Sequence, residues 1–134
     1  MKKYEILEHK ADLKIRVFGK TKEELFLNML LGMADSQRAE IESKKKIKRE
    51  IKIKSLDLGV LLVDFLSEVL YLSQVNKEIY KDIKFKKLTN RRLEGELIGQ
   101  KVERFGEDIK AVTYHSLDVH QEKGIWQATI LFDV

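Results

Sequence analysis

The sequence contains no cysteine and no proline. Without cysteine the chain forms no disulfide framework, no thiolate zinc site and no cysteine nucleophile, which excludes several enzyme classes and the small disulfide-stapled secreted scaffolds. A glycine-rich phosphate loop and a nucleophile elbow are also missing. The three histidines, His9, His115 and His120, do not have the HxH or HExxH spacing of a zinc site. The sequence therefore offers no familiar catalytic motif.

Long apolar runs are missing as well. We find no stretch of transmembrane length and no signal-peptide core at the N-terminus. These observations predict a protein that makes no membrane contact and works in the cytoplasm.

The 134 residues predict one domain, residues 1–134, with enough chain to bury a core. Charged residues make up 36% of the chain, and the net charge is +4. The positive charge is concentrated in KKKIKREIKIK (44–54) and KDIKFKK (81–87). Such stretches are most often solvated faces of strands, but they also attract RNA phosphates or acidic partners. A tRNA-binding surface on these two strands is therefore one functional hypothesis.

Two helices are predicted from apolar spacing. Thr21 and Glu24 have the spacing of a capping box and begin a helix over 22–37. The stretch 57–74 is apolar around most of its circumference and is expected to form the central buried helix, with Asp64 on its wetter side.

The rest of the chain shows the two-residue period of strands. We expect one or two strands before residue 20, broken near EHKAD, a loop around Ser36 and Glu40, and a strand at 47–53. After Asn76 the chain is expected to be β throughout. There, VERFGED (102–108) is predicted as a loop, and the segments 109–121 and 126–134 as two strands. This order favours an α+β fold of two layers, with two helices packed on a largely antiparallel or mixed sheet.

Three acids stand near the ends of predicted strands: Asp12, Asp108 and Asp133. Asp12 could pair with Arg16, Asp108 could make a turn, and Asp133 could belong to a solvated terminus. Alternatively, the three could form one site for a hard divalent cation, which prefers oxygen ligands. The α-carboxylate of Val134 beside Asp133 adds a second negative group that a cation would neutralise.

Five stretches in order resemble the archease family, and together they span nearly the whole chain. They are YEILEHKAD (4–12), GKTKEELF (19–26), LLVDFLSEVLYL (61–72), DIKAVTYHSL (108–117) and LFDV (131–134). The departures are few: Lys10 stands where threonine is usual, Lys14 where a small residue is common, and Asp108 where glutamate is usual.

The resemblance implies an accessory protein, not an enzyme, for the RtcB-type RNA ligase that joins tRNA exon halves during splicing. Such a protein promotes guanylylation of the ligase and its multiple turnover. The family's metal site, seen with calcium, would carry over to Asp12, Asp133 and Val134. Asp108, Lys101 and His9 would be further residues for ligase activation.

Overall fold

The computed structural model describes residues 1–8 and 12–134. Within these ranges the chain forms nine strands and two helices. In chain order they are β1 (Tyr4–Glu8), β2 (Asp12–Gly19), α1 (Lys22–Ser36), β3 (Ala39–Ile41), β4 (Ile47–Lys54), α2 (Leu58–Asn76), β5 (Glu78–Leu88), β6 (Arg92–Phe105), β7 (Ala111–Val112), β8 (Asp118–Glu122) and β9 (Ile125–Asp133).

The strands form two sheets. In the first, the order is β1-β2-β9, and both β7 and β8 pair with the remaining edge of β9. In the second, the long strand β6 lies at the centre and pairs with β3, β4 and β5. Every pair among the described strands is antiparallel. The predicted α+β fold with two helices and a largely antiparallel arrangement is confirmed, although the strands divide between two sheets.

Helix α1 begins as the capping box predicts. The Thr21 hydroxyl accepts a hydrogen bond from the Glu24 backbone N–H at 3.1 Å. Just before it, Gly19 allows β2 to pass close to the first helical turn, because a Cβ at this position would lie 2.5 Å from the Leu25 nitrogen. The helix then contacts β2 of the first sheet and β5 of the second, so it joins the two sheets.

Helix α2 lies in the common core. Asp57 caps it by accepting from the Val60 N–H at 2.9 Å, and the rings of Phe26 in α1 and Phe65 in α2 lie 5.7 Å apart. Eight of its residues are buried. The expectation that no segment reaches transmembrane length was wrong, since α2 has 19 residues and a mean hydropathy of 1.6. A core helix of a globular protein meets the same criteria.

Three boundaries differ from the sequence prediction. Strand β6 continues through 102–105, so the expected loop at 102–108 begins only at Gly106. The segment 109–121 is not one strand, because the chain leaves the sheet after β7 and returns at β8. The loop expected around Ser36 and Glu40 is shorter, since Ser36 ends α1 and Glu40 lies in β3. Apolar alternation marks exposed and buried faces, but it does not report where pairing stops.

An ion pair with one buried partner, Glu78, links β4 to the start of β5. Arg49 donates two hydrogen bonds to the Glu78 carboxylate, at 3.0 and 2.8 Å, and the Tyr80 hydroxyl donates a third at 2.5 Å. The Glu78 side chain is 2% exposed. The bonds from Arg49 hold the pKa of Glu78 below its ordinary value of 4.5, although burial opposes them. Burial and the bond to Glu78 raise the pKa of Tyr80 to about 12.

This pair predicts part of the protein's sensitivity to acid. Because the folded-state pKa of Glu78 is lowered, its contribution to stability is present above the unfolded pKa and is lost as pH falls through the folded one. The free energy of unfolding, measured by urea titration, should therefore drop more steeply below pH 4.5 in the wild type than in Glu78→Gln. Parallel curves for the two proteins would contradict this assignment.

Candidate metal centre

The structure brings the start of β2 and the end of β9 together at one edge of the first sheet. In the register of β2 and β9, Asp12 lies directly opposite Asp133. On the other side of β9, Ala111 of β7 lies opposite Asp133. Residues directly opposite each other in an antiparallel pair have Cβ atoms about 4.5–5.5 Å apart, on the same face of the sheet.

Both carboxylates lie on the face of the sheet that points away from the core. The neighbouring positions Ile15, Ile130 and Phe132 alternate with them and are fully buried. Asp12 is half-buried and Asp133 is exposed. Two like charges directly opposite each other destabilise a strand pair, and a bound cation removes this repulsion. Carboxylate oxygens at this separation are suitable ligands for calcium, which binds oxygen at about 2.3–2.6 Å.

The third acid, Asp108, belongs to the segment that leads into β7. It is exposed, and the next residue, Ile109, is 1% exposed and anchors the segment in the core. The Lys110 N–H then donates to the Asp133 carbonyl at 2.7 Å. Asp108 is therefore two residues before Lys110, which contacts Asp133 directly. Val134 is partly buried and packs against the core.

None of the three aspartates forms an ion pair with another residue in the described part of the chain. Arg16, one suggested partner of Asp12, instead approaches Glu5 at 3.9 Å. Within residues 1–8 and 12–134, no salt bridge involves Asp12, Asp108 or Asp133.

Lys14 is a second departure from the family pattern on the same strand as Asp12. It lies two positions after Asp12 and therefore on the same face, opposite Leu131 of β9. Lys10, the other lysine that departs from the family pattern, lies outside the described residues.

Two of the suggested residues do not join this arrangement. Lys101 lies on β6 of the second sheet, opposite Glu78, where its charge helps to lower the pKa of that carboxyl. His9 lies outside the described residues, so its position stays a prediction. In the part of the chain that the structure describes, no group of three or more histidine, aspartate or glutamate side chains is arranged to hold a metal ion. Metal binding by Asp12, Asp133 and Val134 therefore also stays a prediction.

A polar cluster around Asp64 of α2 could not be recognised in the sequence. Asp64 of α2 accepts hydrogen bonds from the Ser55 hydroxyl at 2.6 Å and from the Tyr114 hydroxyl. The bond to Asp64 raises the pKa of Tyr114. An available signal was the presence of one acid in the apolar LLVDFL stretch (61–66), but its partners lie elsewhere in the chain.

The two basic stretches form strands on opposite sides of β6. Lys48 lies 3.9 Å from Glu96, and Lys52 lies 3.8 Å from Glu94. Lys84 of β5 is also opposite Glu96 in the strand register. The exposed face of this sheet is therefore a ladder of alternating charges and not a uniformly basic surface.

Comparison with known proteins gives a consistent result. The model of the Archease protein family (MTH1598/TM1083) matches residues 4–134. The protein archease of Methanosarcina barkeri is 37% identical over 99% of this chain and 97% of its own. The protein archease of Pyrococcus furiosus is 32% identical, and the match covers 100% of both chains.

Two solved structures are similar in fold. The solution structure of Methanobacterium thermoautotrophicum protein 1598 has a TM-score of 0.72 and 26% identity, with 100% of both chains covered. The crystal structure of "an archease, possible chaperone" from Thermotoga maritima has a TM-score of 0.70 and 20% identity, and the match covers 96% of this chain and 94% of that one. At that identity, the second likeness concerns the fold alone.

Proposed function

Because this chain belongs to the archease family, we propose that it is a cytoplasmic accessory protein that activates an RtcB-type RNA ligase in tRNA splicing. It is not the ligase itself, and it acts by promoting guanylylation and multiple turnover of its partner. The observation that carries this proposal is the register of Asp12 opposite Asp133, with the segment of Asp108 bonded alongside. The decisive test is multiple-turnover ligation by the partner ligase in the presence of the Asp133→Ala variant.

The chemistry of guanylylation explains why acids would be useful at this edge. The reaction transfers GMP to a nucleophile of the ligase and releases pyrophosphate. A bare cluster of carboxylates would repel these phosphates, so a divalent cation belongs to the working state of the site. Calcium is the cation that the family resemblance suggests, and it would supply positive charge next to the phosphate groups.

The chain's own residues would have distinct roles in this site. Asp12 and Asp133, held opposite each other by the strands, would provide the fixed carboxylates, and the α-carboxylate of Val134 would complete the set. Asp108 is exposed and would face the ligase. Lys101 lies on the other sheet, so any contact with phosphate or with acids of the ligase would be made from a separate part of the surface.

The second candidate function is a tRNA-binding chaperone that uses the strands 44–54 and 81–87. Both stretches lie in the same sheet, which favours this function. However, the glutamates of β6 partly neutralise the lysines. The first proposal therefore has the better support.

A salt titration of tRNA binding separates these two functions. Each lost phosphate contact should reduce the slope of log affinity against log salt by about 0.7–0.9. We expect the triple variant Lys48→Gln, Lys52→Gln, Lys84→Gln to leave the slope unchanged, because these lysines already face glutamates. A slope reduced by about two or more would instead favour the tRNA-binding function.

A further inference from the structure

The segment 109–117, here called the brace, runs along the last strand on the side opposite β2. The Lys110 N–H donates to the Asp133 carbonyl at 2.7 Å. The Thr113 N–H and hydroxyl both donate to the Leu131 carbonyl, at 3.0 and 2.9 Å. The brace thus bonds to Asp133 of the candidate metal site and to Leu131, two residues before it.

The brace is attached to α2 at two points. At its start, the Gln74 side-chain N–H donates to the Ile109 carbonyl at 2.9 Å. Further on, the Tyr114 hydroxyl donates to the Asp64 carboxylate, whose other oxygen accepts from Ser55 at 2.6 Å. Gln74 and Asp64 lie ten residues apart on the same rigid helix, so their spacing along the brace is set by α2.

The end of the brace also packs on α2. Leu117 lies so close to Gly59 that a Cβ added to this glycine would come within 3.1 Å of the leucine side chain. Ser116 just before it has a φ of 55°, which turns the chain out of the sheet and toward the helix. The residues between β7 and β8 therefore leave the sheet in order to contact α2.

We propose that Gln74 and Asp64, which lie outside the acidic site, are positioning residues for it. Through the brace they hold the backbone next to Asp108 against the carbonyl of Asp133, and so set the distance between these two acids. This inference rests on the proposed role of the acids in ligase activation. Helix α2 can hold the brace in a fixed position because its own buried face is packed in the core.

Hydrogen exchange tests the positioning without any metal or ligase. Gln74→Met and Tyr114→Phe each remove one hydrogen bond and keep most of the side-chain volume. Since one such bond contributes about 0.5–1.5 kcal/mol, the amides of Lys110 and Thr113 should exchange about two- to tenfold faster in each variant. The amide of Val17 in the central strand β2 should keep its wild-type rate.

The matched control is Val75→Ala, since Val75 is an exposed neighbour of Gln74 on the same helix. All three amides should exchange in it as in the wild type. Unchanged rates at Lys110 and Thr113 in the two test variants would overturn the inference. A uniform increase that includes Val17 would also overturn it, because that result indicates a general loss of stability.

Calcium titration by calorimetry then links the brace to function. Substitution of residues that orient metal ligands commonly costs 10–100-fold in affinity, so Gln74→Met and Tyr114→Phe should each bind calcium at least about tenfold more weakly. Wild-type affinity in both variants would remove the positioning role and leave the proposed function intact. If the wild type neither binds calcium nor activates the ligase, the proposed function fails, while the exchange rates still decide whether α2 positions the brace.

Discussion

Asp133→Ala is expected to reduce multiple turnover by the partner ligase at least about tenfold and to leave the fold intact. Asp133 is exposed at the end of β9, so its side chain contributes little to the core. Its loss removes one of the two carboxylates that face each other across β2 and β9. Substitution of residues that only support metal ligands already lowers metal affinity or activity about 10–100-fold. We therefore expect loss of a ligand to lower the turnover rate by at least about tenfold. Ligation of tRNA exon halves with substoichiometric ligase measures this directly.

The control is Asp118→Ala, which removes an exposed carboxylate from β8 of the same sheet. It should activate the ligase as the wild type does. A companion variant with one residue added after Val134 moves the terminal carboxylate by about 3.4 Å and should also lose activity. Full multiple-turnover activity in both Asp133→Ala and the extended chain would exclude the acidic site from the mechanism.

The largest loss of stability is expected from Glu78→Ala. This change leaves the Arg49 guanidinium and the Tyr80 hydroxyl without their shared acceptor and creates a small cavity. Breaking a buried ion pair costs about 3–5 kcal/mol, and the lower end applies here, since the Arg49 side chain is 41% exposed and can regain water. We therefore expect the free energy of unfolding to fall by about 3 kcal/mol and the melting temperature by roughly 10 °C.

The chain supplies a matched control for this measurement. Arg104 and Glu40 form the same two-point ion pair, at 2.7 and 2.9 Å, on an exposed part of the surface. Exposed pairs are screened by water, so Glu40→Ala should change the melting temperature little. Equal losses in the two variants would show that burial does not decide the strength of the Glu78 pair.

Local features were the easiest to predict from the residues. The capping box at Thr21 and the apolar spacing after it placed α1 within one residue at its C-terminal end. Alternation placed β4 and β9 closely as well. These signals depend on residues that are neighbours in the chain, so they can be recognised without knowledge of the rest of the fold.

Other features became visible only with the strand pairing. Arg49 shares its alternation with Ile47, Ile51 and Ile53, which signals a charge on the inner side of β4, but nothing near it in the chain identifies Glu78 as its partner. The same holds for Tyr114 and Asp64. A strand's period reveals which face is buried, but the partner is chosen by packing across the whole core.

The sequence by itself determined one α+β domain with two helices, and its ordered motifs pointed to a family and to a set of acids. The tertiary structure decided that the strands form two sheets, that Asp12 faces Asp133 while Lys101 lies on the other sheet, and that α2 holds the segment between β6 and β8. The physical reason is that side-chain periodicity acts over a few residues, whereas register and distant hydrogen bonds depend on how all elements pack at once.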